Sequence, residues 1–303
     1  MILKNYTYLV ILISTVILSS FHVISQEPGT NLKVMTYNIW NGFDWGKDTI
    51  RKENWIKWVN SKNHDVLALQ ELCGYNEEKL KVDAQKWGHP YVKILKSEGY
   101  PVGLTSKTPI TIIERVIDGL WHGMLYCETA GIDFFVVHLS PADSDFRLRE
   151  SNIITEKVKN CKSDKYIILG DFNAHAPFDE EVLKHNRSLL KKYSNKKPES
   201  TYSNLRLGEY DYSVVSRFIA LPAIDVSLNY VDISDRYTFP TPALIGIYQT
   251  ADEIIQNKER IDYILTSPII AKSCTNVTIY NNEETDTFSD HYPLMAEFNF
   301  KIK

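Results

Sequence analysis

The chain has 303 residues, 44% of them hydrophobic and 24% charged, with 34 basic against 38 acidic residues for a formal net charge of −4. That composition suits a globular protein, and the length allows one large domain or two of ordinary size. The acidic balance excludes a protein that grips polyanions through a global basic field, although a bound divalent cation can still supply positive charge locally.

At the N-terminus Lys4 precedes the uncharged run "YLVILISTVILSSF", and small residues at Val23 and Ser25 follow before Gln26. A basic start, a short apolar core and a small-residue cleavage site read as a secretory signal peptide over residues 1–25, with a periplasmic or extracellular destination. An uncleaved membrane anchor is the alternative, although the core is short for a spanning helix. Loss of the segment removes one lysine and no acid, so the remainder is more acidic still. Cys73, Cys127, Cys161 and Cys274 are far apart and show no CxxC spacing, which argues against a zinc site. Outside the cytosol one or two disulfides are open to them, with no pairing readable from the sequence.

After the leader "QEPGTN", the run "LKVMTYNIW" reads as a strand. Trp55, Trp58 and Val59 fall at helical spacing and predict an amphipathic helix over about residues 48–62. "DVLALQE" is a second strand, and Leu80, Ala84 and Trp87 mark a second helix. "PVGLTSKTPITIIERV" and "GLWHGMLYCETAGIDFFVVHLS" give a series of strands, turning at Thr108-Pro109 and Ala130-Gly131. A third helix over Phe146 to Asn160 leads into the strand of "YIILGDFNAH". Beyond Pro177 the signal weakens to a helix around Glu180 to Lys192 and a polar, basic stretch "KKYSNKKPES" that reads as a surface loop. "RIDYILTS", "CTNVTIY" and "HYPLMAEFNFKI" close the chain as three more strands. Strands and helices alternate without a linker, so one domain over residues 27–303 is the economical reading.

The strand ends share a chemistry. "MTYN" ends in Asn38, "LALQE" in Glu71, "FFVVHLS" delivers His138 and "IILGDFN" delivers Asp171 and Asn173. "RIDYIL" carries Asp262, and "TFSDHYP" sets Asp290 and His291 before the last strand. A buried polar group costs free energy unless it finds a partner, so these sites point to one mutually satisfied cluster. Carboxylate and amide oxygens are hard ligands suited to magnesium, manganese or calcium. A hard cation beside imidazole groups fits attack of water on a phosphoester. There is no Walker-type loop and no GxSxG elbow to support nucleotide-triphosphate binding or serine hydrolysis.

"MTYNIW", "LALQE", "VVHLS", "LGDFNA", "RIDYIL" and "FSDHYP", in that order and across most of the chain, resemble the motif series of the endonuclease/exonuclease/phosphatase superfamily with its deoxyribonuclease-I-like fold. The resemblance implies an α/β four-layer α-β-β-α sandwich with two central, mostly antiparallel sheets and the site at one edge. It implies metal ligation by Glu71 with Asn38 beside it, and Asp290 completing the metal and hydrogen-bond network. Asp171 would align or activate the attacking water, Asn173 would hold a phosphate oxygen, and His291, oriented by Asp262, would contact the scissile phosphate. His138 would donate a hydrogen bond or a proton on the phosphate side. The implied cofactor is magnesium, with manganese or calcium as substitutes.

Abasic-site endonucleases of the superfamily carry a tyrosine-centred motif where this chain has "VVHLS". His138 instead resembles the branch holding deoxyribonuclease I, sphingomyelinases, inositol-polyphosphate phosphatases and deadenylases. The expected substrate is a phosphoester of nucleic acid, of a phospholipid head group, or of a small phosphodiester or a sugar or inositol phosphate, handled by a monomer. A catalytically inactive binding protein on the same scaffold is the reading from another class. Its signature, loss of a catalytic histidine or of the metal glutamate, is missing. His122 and His175 read as surface histidines, and Arg147 and Arg149 as residues of a helix face. Trp40, Phe43 and Trp45 read as half core and half site rim.

Overall fold

A computed structural model describes residues 30–195 and 200–300; the signal-peptide reading of residues 1–25 lies outside them. The strands among these residues begin with β1 (Thr30–Asn38), β2 (Val66–Gln70), β3 (Tyr91–Ile94), β4 (Gly103–Ser106), β5 (Thr111–Val116), β6 (Met124–Thr129) and β7 (Ile132–His138). They continue as β8 (Tyr166–Asp171), β9 (Leu205–Arg206), β10 (Glu209–Tyr210), β11 (Ile224–Asp225), β12 (Asp262–Thr266), β13 (Cys274–Ile279) and β14 (Leu294–Phe300). Two six-stranded sheets carry the architecture, ordered β13-β14-β1-β2-β4-β3 and β11-β12-β8-β7-β6-β5. Each has a single parallel pair, β1 with β2 and β7 with β8, and is otherwise antiparallel.

Side chains alternate between the two faces of a strand, which explains why the central runs are apolar throughout. Phe134 and Val136 of β7 point into the core shared by the two sheets, with Val34, Ala68, Ile167 and Ala296. Their neighbours Phe135 and Val137 face outward onto Ile154 and Val158 of the helix Ser144–Lys159 and onto Phe218 of the helix Ser213–Ile219. On the other sheet Met35, Tyr37, Leu67 and Leu69 meet Trp55, Trp58 and Val59 of the helix Thr49–Ser61, and Leu80 of the helix Glu77–Ala84. The result is the four-layer α-β-β-α sandwich. Each fully buried side chain of this size contributes roughly 1.5–3 kcal/mol.

Capping sets the helix starts. Asp48, Asn76 and Asp143 each accept a backbone N–H three residues on, at Arg51, Lys79 and Phe146. The single helix expected over residues 180–192 is instead two pieces, Glu180–Leu183 and Arg187–Ser194, because the Asn186 side chain caps Leu189 and starts a new helix. All four cysteines stand unpaired, two of them buried. Among the described residues no helix is long and apolar enough to cross a membrane.

The weakly patterned stretch after Pro177 is fastened by a buried ion cluster. Arg260 donates to Asp179 at 2.7 Å and to Asp225 at 2.7 Å, tying the turn Pro177–Asp179 and β11 to the entry of β12. Arg260→Met would leave two buried carboxylates without their cation, and a loss of about 3–5 kcal/mol is expected. Urea unfolding measures it, and a loss below about 1 kcal/mol would contradict this role.

Candidate active site

The topology gathers the strand ends at one edge. β1 and β2 run parallel, so Asn38 closes one strand and Glu71 follows the other on the same side. In the second sheet His138 pairs in register with Asp171, and Asp171 with Asp262, the first residue of antiparallel β12. Asp290 and His291 precede β14, antiparallel to β1, and arrive at that edge as well. Gly170 makes the closest approach possible: a Cβ there would stand 2.0 Å from the Val137 carbonyl oxygen, at φ +138°.

Local backbone does the rest. Residues Trp40 to Gly46 all have positive φ, forming a left-handed turn that the sequence reading did not anticipate. Non-glycine residues in this region each cost roughly 1–2 kcal/mol, so the turn must be held from outside. Arg51 holds it, donating to the carbonyls of Ile39, Trp40 and Phe288 with its guanidinium over the Trp40 and Phe43 rings. The turn presents the Asn41 N–H to Glu71 Oε2 at 2.6 Å. Glu71 and Asn173 are themselves left-handed, at φ +59° and +47°. Of the three aromatic residues in the turn, Phe43 is buried, Trp40 lines the site and Trp45 is exposed.

Asp171 is the hub. Its Oδ2 lies 3.1 Å from Asn38 Nδ2, 3.4 Å from His138 Nε2 and 3.7 Å from His291 Nε2. Its Oδ1 accepts the Asn173 N–H at 2.9 Å, and the Asn173 side chain donates to the Leu139 carbonyl. His291 Nδ1 is 2.8 Å from Asp262 Oδ2, which fixes the ring orientation and leaves Nε2 toward Asp171. Ser289 joins the two halves, donating to the Asn38 carbonyl at 2.6 Å while accepting the His291 N–H. All eight residues singled out from the sequence thus meet at one edge.

Charge at the site follows from burial. Removal from water raises the Asp171 carboxyl well above the usual carboxylate range, with Asp262 adding to the rise and His291 opposing it. Asp290 is raised in the same way, with Glu71 adding. Burial works against a proton on His291, but the charges of Asp262 and Asp171 prevail and hold it well above the ordinary histidine value. His138 goes the other way, pushed well below it by burial and by His122 and His291, and its Nδ1 has no partner. The site therefore gathers four acidic side chains, Glu71, Asp171, Asp262 and Asp290, around one imidazole held in its charged form. A hard divalent cation suits that surplus of oxygen donors. Atoms of Asp171, Asp262 and His291 come within 4.8 Å of one another, but Asp262 is committed to His291, and Glu71 and Asp290 are the carboxylates left to a metal. Asn38, expected beside Glu71 as a ligand, points its nitrogen at Glu71 and Asp171, and its oxygen accepts the Trp40 N–H.

The groups open into a cavity of about 540 Å³. Its lining shows what sequence reasoning missed. His122 is buried, with its ring stacked on His138 at 4.1 Å. His175 is buried too, 2.8 Å from Glu259, a carboxylate that also accepts the Tyr193 hydroxyl and lines the cavity. Neither is a surface histidine; the partners lie 16 and 84 residues away, beyond any local signal. Arg147 leaves the helix face for the interior, donating to the Ser140 carbonyl and to Asn204.

Glu150 clasps two cavity loops, accepting the Trp121 N–H at 2.7 Å and the Ser140 N–H at 2.8 Å. Burial pushes its carboxyl up to about 7, against the pull of those N–H groups and Arg147. An acid raised on folding binds more protons folded than unfolded, so stability falls as pH rises from the usual carboxylate value to about 7. The drop is on the order of 3 kcal/mol. Glu150→Gln should flatten the slope of unfolding free energy across that window; an unchanged slope would assign the pH dependence elsewhere.

The endonuclease/exonuclease/phosphatase family model matches residues 35–291. No curated protein matches the sequence. Among solved structures the chain is similar to an AP endonuclease from Archaeoglobus fulgidus, at 19% identity and TM-score 0.64, over 88% of this chain and 99% of that one. It is similar to a 3′-5′ exonuclease from Neisseria meningitidis, at 19% identity and TM-score 0.63, over 89% and 100% of the two chains. A 3′ phosphatase from Neisseria bound to product DNA hairpin gives 19% and 0.61, over 89% and 100%. At such identity these likenesses establish the shared fold.

Proposed function

Because the chain belongs to the endonuclease/exonuclease/phosphatase family, we propose that it is an exported, divalent-metal-dependent phosphodiesterase that cleaves nucleic acid by attack of water. The observation that carries the reading is the convergence on Asp171 Oδ2 of Asn38, His138 and His291, delivered by three separate chain segments. A fold does not require such a constellation; proton transfer does.

In this reading Glu71 and Asp290 would hold magnesium, for which manganese or calcium could substitute, while Asn38 keeps Glu71 and Asp171 apart. A bound metal would supply Lewis-acid stabilisation of charge on the phosphate. Asp171, raised by burial, orients the water and accepts its proton. His291, kept charged by Asp262, sets a cation against a phosphate oxygen. Asn173 has a second amide hydrogen for another phosphate oxygen, since the first is given to Leu139. His138 offers a neutral imidazole on the phosphate side. Residues 1–25 direct export, and the enzyme works as a monomer.

Cleavage of labelled oligonucleotide, single-stranded and duplex, by the protein from residue 26 onward, with magnesium or with a chelator, tests this. Magnesium-dependent cleavage of at least one form is expected. Folded protein that leaves both forms intact but hydrolyses sphingomyelin vesicles or an inositol phosphate would overturn the nucleic-acid assignment.

A further inference from the structure

Trp121 faces the cavity from the loop that carries His122, whose ring stacks on His138. Trp121 is 41% exposed although its ring is packed on two sides. Phe146 and Tyr202 meet it at 87°, with ring centroids 5.5 and 6.3 Å away, and its backbone N–H is tied to Glu150. Tyr248, 74% exposed, and Tyr100 line the same opening. A large apolar ring held still and left in water is a surface for another flat ring.

A cation stands across the same cavity. Lys192, in the last turn of the helix Arg187–Ser194 where the sequence reading expected a surface loop, holds its ammonium 5.3 Å from the centre of the Phe239 ring, whose centre is 5.0 Å from that of His291. The ammonium is therefore within roughly 10 Å of the imidazole. That separation suits a second anionic group of a substrate whose first is at His291. The pairing of flat rings with repeated anions describes a polynucleotide. A choline head group, the other ligand that aromatic walls attract, would bring its positive charge toward Lys192. An intact duplex would keep its bases stacked on one another, away from Trp121, and the acidic chain offers little for its phosphates.

We propose that Trp121 is a stacking platform for an unpaired base beside the scissile phosphate and that Lys192 receives a neighbouring phosphate, which makes the substrate single-stranded nucleic acid. This rests on the phosphodiesterase reading and narrows it. Trp121 is a binding residue that sets specificity; the chemistry stays with Asp171 and its partners.

The test compares labelled oligothymidylate with a base-free strand of equal length, by fluorescence anisotropy with magnesium, in a protein silenced by Asp171→Asn. Removing the bases should weaken binding roughly tenfold to a hundredfold. Adding Trp121→Ala should shrink that ratio to below about threefold, and Trp121→Phe should restore most of it. Lys192→Ala should weaken both strands alike and lower the salt dependence by about one ion. Equal binding of the two strands, or base dependence that survives Trp121→Ala in folded protein, overturns the proposal. Should the unsubstituted protein cut no nucleic acid while base dependence holds, the stacking site stands as a binding site and the nucleic-acid-cleaving reading falls.

Discussion

Asp171→Asn is expected to lower turnover by about a thousandfold or more while leaving the fold intact. The substituted side chain keeps its shape, and its oxygen can still accept the Asn173 N–H at the Oδ1 position. What disappears is the charge that faces His138 and His291 and the ability to take a proton from water. Relief of one of two buried negative groups around one imidazolium offsets the loss of the hydrogen bond from Asn38 Nδ2, which then faces a second donor, so the fold should survive with little net change in stability. Single-turnover rates with saturating magnesium give the chemical step directly. A loss below about tenfold would move the base elsewhere in the site.

Asp262→Asn should cost about a hundredfold to ten-thousandfold, by a different route. Asp262 touches no substrate in this account; it orients His291 through Nδ1 at 2.8 Å and keeps it charged. An amide oxygen can accept the same hydrogen bond but supplies no net charge. The defect should therefore appear in the rate and leave magnesium affinity, proposed to rest on Glu71 and Asp290, within about threefold. If magnesium affinity collapsed instead, the close trio of Asp171, Asp262 and His291 would be the metal site, and the assignment of the two carboxylates would have to be exchanged.

The eight residues were legible because each sits at the end of an apolar strand, where a polar group in one position can be noticed without knowing its partner. Topology then turned a list of ends into a site: one parallel pair in each sheet, with antiparallel β12 and β14 returning to the same edge. The layers were legible for a related reason, since uniformly apolar strands need cover on both faces. The left-handed turn at Trp40–Gly46 was not. "WNGFDWG" contains two glycines, but five other residues adopt positive φ there because Arg51 clamps them, and that contact depends on the arrival of Phe288 from the far end of the chain. His122 and His175 were misjudged for want of the same long-range information. The stretch from Pro177 to Glu259 stayed faint because its short elements owe their form to tertiary ties such as Arg260 with Asp179 and Asp225, and periodicity records none of these.

In the proposed reaction, water activated at Asp171 attacks a phosphodiester when a divalent metal is bound. Turnover of an oligonucleotide in water enriched in heavy oxygen, by metal-stripped protein before and after magnesium is restored, tests this. No product is expected before restoration and, afterwards, one heavy oxygen in each new phosphate end. Unlabelled product, or turnover indifferent to the metal, would contradict it.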